Sequence, residues 1–219
     1  EDLSPLAGLT NLTERLDLRR GEKISDITPL AKLEKLENLW ITVNQIKVLP
    51  PLGGMSKLKS LRLSHNQITD LKPLTGLTNL EVLWLGNNRI TDLKPLAEAN
   101  LKKLESLGLG NNPLKNLYGL EGCVSLKRLG LAGVRISNFS LLAALKNLEE
   151  LDISMHGGNN KVDLTTITGL DSLKVIRLYR CHLTDIGPLG KLTSLQSIMA
   201  VRNSITDLTP LAGLKRMKE

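Results

Sequence analysis

Aromatic rings are scarce in this chain. Trp40, Trp84, Tyr118, Phe139 and Tyr179 are the five among 219 residues, too few to fill an ordinary globular core of that size. Two cysteines, Cys123 and Cys181, exclude a disulfide-built scaffold. Three histidines, His65, His156 and His182, leave little material for a metal centre. No apolar run approaches the roughly 18 residues that a membrane-spanning helix needs. No charged-then-apolar leader opens the chain, so any signal peptide is expected to have been removed or never to have been there. Glycine-rich phosphate loops, nucleophile elbows and zinc motifs are also missing, so no catalytic site and no cofactor are expected.

What the chain has in excess is leucine, 49 of 219 residues. A core of one branched aliphatic with almost no rings implies one small packing unit used many times. Charged residues make up 23%, which argues against wholesale disorder. The formal net charge of +7 permits nucleic acid, acidic protein surfaces or anionic membrane as partners and selects none of them.

Repetition is visible at a step of 22 residues. Asn44, Asn66 and Asn88 sit in one frame: Leu39-x-Ile41-x-x-Asn44-x-Ile46, Leu61-x-Leu63-x-x-Asn66-x-Ile68 and Leu83-x-Leu85-x-x-Asn88-x-Ile90. It continues through Asn112 and returns at Asn203, with Val134 and Cys181 in the asparagine slot of weaker copies. With the irregular copy at Leu16 and one around Asp152, the frame occurs nine times. The leucines of each L-x-L piece point inward from a short strand and the residues between them point out. The asparagine turns the chain, and its amide can satisfy backbone groups that the turn would bury unpaired. Ile-Thr-Asp-Leu-x-Pro-Leu follows at 68–74, 90–96 and 205–211, and nearly so at 24–30 and 183–189. There Asp26, Asp70, Asp92, Asp185 and Asp207 read as caps of short helical turns rather than as a carboxylate array.

This pattern resembles the leucine-rich repeat family over essentially the whole chain. It looks most like the 22-residue internalin-type subclass, whose hallmark is that Ile-Thr-Asp-Leu-x-Pro-Leu segment. Phosphatase-regulator repeats share the period and are the nearest alternative. The resemblance implies an α/β solenoid: a right-handed leucine-rich repeat arc of about nine repeats, with a concave parallel β-sheet and convex 3₁₀ turns. It also implies a bacterial surface or secreted protein that contacts another protein, whereas a phosphatase-regulator relationship implies an intracellular scaffold. Both ends cut through a repeat, so residues 1–219 are expected to be a single repeat domain, either a piece of a longer array or protein or one whose ends a partner covers.

Two places break the 22-residue step. Ala97-Glu98-Ala99-Asn100 adds two residues to a convex connection, consistent with a longer helical turn. Ser154-Met155-His156-Gly157-Gly158-Asn159 adds three just after a strand. That rim loop, with Met155, His156, Gly157 and Gly158 at its centre, is either a contact loop or a neutral insertion.

Function in such a fold is expected on the outward positions of the strands, which form columns of neighbours ~4.8 Å apart. Four residues before the asparagine slot, the column reads Asp17, Trp40, Arg62, Trp84, Gly108, Gly130, Asp152, Arg177, Met199. Trp40 and Trp84 should face outward with Arg62 between them, an arrangement suited to cation–π stacking. Gly86, Gly108, Gly110, Gly130, Ala132 and Gly133 should leave a shallow saddle. Beyond it Arg177, Tyr179, Arg180, Met199 and Arg202 rebuild a patch of large side chains. Tryptophan, tyrosine, methionine and arginine are enriched at protein interfaces, so these residues, with His65 on the rim, are the candidate contacts for a protein ligand. Ten of eleven arginines cluster around the strands while lysines populate the back, and arginine offers planar bidentate contacts to carboxylate or phosphate. Polyanion binding through those arginines, with tryptophans stacking bases, is the alternative. A small-molecule substrate is not expected. His156 and His182 lie in adjacent repeats but lack a third ligand, so no metal is expected. Cys123 and Cys181 are too far apart to bridge and should be buried thiols.

Overall fold

The computed structural model describes residues 1–136, 138–155 and 162–218. Its nine strands are β1 (Arg15–Asp17), β2 (Asn38–Trp40), β3 (Ser60–Arg62), β4 (Val82–Trp84), β5 (Ser106–Gly108), β6 (Arg128–Gly130), β7 (Glu150–Asp152), β8 (Val175–Arg177) and β9 (Ser197–Met199). They form one parallel sheet in chain order, each strand paired only with its sequence neighbours. The sheet is open, and short 3₁₀ turns on its other side return each strand to the next. This is the expected repeat solenoid.

The middle residue of each strand lies in the core. Leu39, Leu61, Leu83, Leu107, Leu129, Leu151 and Ile176 are at most 2% exposed, while the residues on either side face out. One continuous core runs from Leu3 to Leu214. Each repeat offers the same slots to the repeat before and after it, so aliphatics of similar volume, mostly leucine, fill most layers. Phe139, Met55 and Cys123 occupy such slots and are fully buried. Tyr118 instead projects from a convex turn.

The asparagines bind consecutive repeats together. Oδ1 of Asn66 accepts from the Ile46 amide at 3.0 Å, Asn88 from Ile68 at 2.9 Å and Asn112 from Ile90 at 3.0 Å. Each Nδ2 donates both within its own repeat and back to the preceding one, as Asn88 does to Leu85 and Leu63 carbonyls. Asn203 repeats the pattern toward Leu178 and Leu183. Where Cys181 takes the slot, its thiol donates to the Ile153 carbonyl at 3.2 Å. These side chains satisfy backbone groups that a strand-to-turn transition would leave buried without partners.

The sharp bend itself belongs to the residue before that slot. Arg20, Val43, His65, Asn87, Asn111, Gly133, Met155, Arg180 and Arg202 all have φ between 54° and 75°. Asparagine and glycine take this left-handed conformation easily; β-branched Val43 does so under strain. On the convex side, Asp26, Asp70, Asp92, Asp185 and Asp207 accept from the amide two residues on, at 2.7–3.0 Å. They close Asx turns one residue ahead of the helical turn's own cap position, and proline then opens most of these turns. The two residues added near Ala97 lengthen one connection into an α-helix, α1 (Lys94–Glu98), in which the Ala99 amide reaches Pro95.

Candidate functional site

Strand register sets the outer face. Residues Asp17, Trp40, Arg62, Trp84, Gly108, Gly130, Asp152, Arg177 and Met199 are direct cross-strand partners in one row. Because strands lie ~4.8 Å apart and side chains stand off the sheet, flat groups in this row stack face to face. The Arg62 guanidinium carbon lies 4.3 Å from the Trp40 ring centre and 4.1 Å from that of Trp84. From the other side, Arg15 and Arg19 approach Trp40 at 4.8 and 5.2 Å. The result is an alternating stack across β1 to β4, cations between indole faces. Each contact contributes about 0.5–2 kcal/mol. The Trp40 indole N–H donates to Ser60 and that of Trp84 to Ser106, at 3.3 and 3.4 Å, which holds both rings upright.

Arg62 is unusual within this stack. Its Nε is buried and, among the described residues, has no acceptor. Burial lowers the guanidinium's pKa, the Arg19 charge adds to that effect and Asp17 opposes it. Arg19 by contrast is held by Asp17 through two guanidinium nitrogens at 2.8–3.1 Å.

The saddle lies next to Trp84. A hollow of about 300 Å³ is bounded by Trp84 at one end and by Glu150, Asp152 and Arg177 at the other, over a floor that includes Gly86, Gly108, Gly110, Gly130 and Ala132. Gly110 is required there, since a Cβ on it would stand 2.8 Å from the Ala132 carbonyl oxygen. Beyond the hollow, Arg177 donates to Glu150 at 3.2 Å. Arg202 and Arg180 lie 5.5 and 6.0 Å from the Tyr179 ring, forming a second, looser aromatic–cation group beside exposed Met199.

The structure therefore brings Trp40, Arg62 and Trp84 into one unit and Tyr179, Arg180 and Arg202 into another. Arg177 is paired with Glu150. His65 sits on the rim with its ring Nε2 3.3 Å from the Asn87 amide nitrogen. Met155 is exposed, and its amide donates to the Tyr179 carbonyl at 2.6 Å. His156, Gly157 and Gly158 lie outside the described residues. Cys123 and Cys181 are buried thiols, and burial together with nearby Glu121 pushes the Cys123 thiol up to about 11.

Sequence reasoning counted Arg15 among the strand arginines without placing it against Trp40, and it missed Ser60 and Ser106. All three stand six residues before the asparagine slot, a position that also faces outward because strand alternation repeats every second residue. Tracing that column would have placed Arg15 and the two serines beside the tryptophan row.

A family profile described as leucine-rich repeats (2 copies) matches residues 34–76, 56–98 and 78–122. Comparison with curated protein sequences gives no match. Among solved structures, an internalin (inlF) from Listeria monocytogenes is 32% identical with a TM-score of 0.84, covering all of this chain and 63% of that one. Internalin C2 (inlC2) from the same species is 32% identical with a TM-score of 0.76, over 85% of this chain and 80% of its own. A leucine-rich repeat protein from Leptospira interrogans is 29% identical with a TM-score of 0.85, over 98% and 55%. The chain thus spans less than two thirds of the inlF and Leptospira structures. From the repeat profile and the extent of its match to internalin C2, the chain belongs to the internalin-like leucine-rich repeat family.

Proposed function

We propose that this chain is a non-enzymatic recognition module that binds a protein on its concave sheet. Leucine-rich repeat proteins, internalins and receptors among them, are protein-interaction modules and typically carry no enzymatic activity. One observation carries the reading for this chain: both of its tryptophans stand on the outer face of the sheet, in one row, with an arginine between them. A core tryptophan would serve folding; Trp84, 40% exposed, has surface left for a partner. The Trp40–Arg62–Trp84 stack and the Tyr179–Arg180–Met199–Arg202 group, with Arg177 at its edge, then flank the saddle as two anchors around a low centre.

The test uses the chain as bait for protein partners, with capture and thermal stability measured on the same variants. Trp84→Ala should abolish capture at a stability cost of about 1–2 kcal/mol, below the ~3–5 kcal/mol of emptying a buried aromatic site. Gly108→Leu places a bulky side chain in the saddle with only ordinary contacts to Trp84, its Cβ position being 3.6 Å from the ring. It should block capture and leave the melting temperature in place. Capture that survives both substitutions would refute the reading.

A further inference from the structure

We infer that the Trp40–Arg62–Trp84 stack is a receptor for a carboxylate on an acidic segment of the protein partner, with Arg62 as the group that accepts it. This deepens the concave-face reading and rests on it. Two arginines occupy the central outward row, Arg62 and Arg177. Arg177 has Glu150, and nearby Arg19 has Asp17; on this face the chain twice neutralises an arginine with a carboxylate of its own. The Arg62 side chain has neither an ion pair nor a hydrogen bond among the described residues. The outward positions around it are Asn38, Thr42, Ser60, Ser64, Val82 and Gly86, none of them charged. Both faces of its guanidinium are covered by indoles and its Nε is buried, so only the terminal edge, with the Nη1 and Nη2 donors, is left to a ligand. That edge, held rigid on both sides, is suited to bidentate contact with a planar carboxylate. An open hollow of about 680 Å³, bounded by Asp17, Arg19, Arg20, Thr42 and Val43, lies on the β1–β2 side of the stack and adds further positive charge along the approach.

The same geometry disfavours nucleic acid. Base stacking needs an uncovered ring face. Trp40 is covered by Arg15 and Arg19 on one side and by Arg62 on the other. Trp84 has its inner face on Arg62 and keeps one face, toward Gly108. Successive bases would find a single platform, whereas an acidic side chain finds an edge with donors.

The chain's two tryptophans both belong to this stack, so intrinsic fluorescence reports on it without a label. The experiment titrates a blocked octaglutamate peptide, with octaglutamine, heparin and oligothymidylate as comparisons, into the wild-type chain and into Arg62→Met, Arg62→Lys and Lys102→Met. Octaglutamate should change the emission saturably and octaglutamine should not. Arg62→Met should weaken binding about tenfold or more. Arg62→Lys, which keeps the charge and loses the planar fork, should fall between, and Lys102→Met, which removes an exposed charge from the convex side, should bind as wild type. Equal binding by wild type and Arg62→Met, or by octaglutamate and octaglutamine, overturns the inference. So does a saturable response to heparin or oligothymidylate with none to octaglutamate. If octaglutamate gives no response while partner capture still depends on Trp84 and the saddle, the carboxylate assignment fails and concave-face recognition stands. Unchanged melting temperatures in the Arg62 variants confirm that binding, not folding, is being read.

Discussion

Replacing Asn88 by alanine removes four hydrogen bonds at the junction between two repeats, the longest of them to the Gly86 carbonyl at 3.5 Å. Its Oδ1 accepts from the Ile68 amide at 2.9 Å, and Nδ2 donates to the Leu85 and Leu63 carbonyls at 2.9 and 3.0 Å. The three groups do not suffer equally. The Leu63 carbonyl keeps a donor in Asn66 and the Leu85 carbonyl keeps one in Asn112. The Ile68 amide is left buried with nothing to donate to. An orphaned buried donor costs about 1–3 kcal/mol and each of the two lost bonds about 1 kcal/mol, so the substitution should cost about 3–5 kcal/mol. Urea unfolding followed by circular dichroism measures this. Asn79→Ala is the control, a half-buried asparagine that donates to the Ser56 carbonyl and accepts from Lys103 in solvent-exposed bonds; its loss should stay below about 1 kcal/mol. Stability passes between neighbouring repeats, so the Asn88 variant should also split the unfolding curve at that junction. A loss no larger than the control's would refute the claim that the buried amides hold the repeats in register.

Three further outcomes follow from particular residues. Val43 has φ 60° and is 36% exposed, so Val43→Asn should raise stability by about 1 kcal/mol, read as a higher melting temperature; a decrease would show that its side chain matters more than its backbone. With its thiol at about 11, Cys123 should resist alkylation in the native chain at pH 8 and react only after unfolding. Because the folded value is raised, that stabilisation is complete below the unfolded thiol's pKa and is lost as pH rises toward 11; rapid native labelling would contradict the burial. The Asp26 and Asp207 carboxylates are held below their ordinary value by the side chain and amide of Thr28 and Thr209. Asp26→Asn and Asp207→Asn should therefore flatten the loss of stability as pH falls through the carboxylate range, and an unaltered acid limb of the stability–pH curve would argue against these turns.

Much of the fold was legible because its signal is periodic. Leu-x-Leu at a 22-residue step dictates which side chains point inward, and it placed Trp40, Arg62, Trp84 and Arg177 in one row before any coordinates. The asparagine slot was readable as a turn device, although its reach into the preceding repeat depends on distances between layers. The left-handed bend was hidden because Arg20, Val43 and Arg180 occupy it as well as Asn87, Asn111 and Gly133, and composition does not mark it. Side-chain pairing was the least legible. Arg177 meets Glu150 diagonally across β7 and β8, and Arg15 leans onto Trp40, outcomes set by side-chain length and rotamer. The absence of a carboxylate partner at Arg62 became visible only once its neighbours were fixed in space.

The central claim is that the outer face of the sheet, not the convex turns, meets the partner. Site-specific photo-crosslinking tests it most directly, with a crosslinking residue placed at Ser64 on the concave face or at Lys102 on the convex side, and the partner added under identical conditions. If the outer face meets the partner, position 64 gives a crosslinked product, abolished by Trp84→Ala, and position 102 gives none. Crosslinking from position 102 with none from position 64 would contradict it.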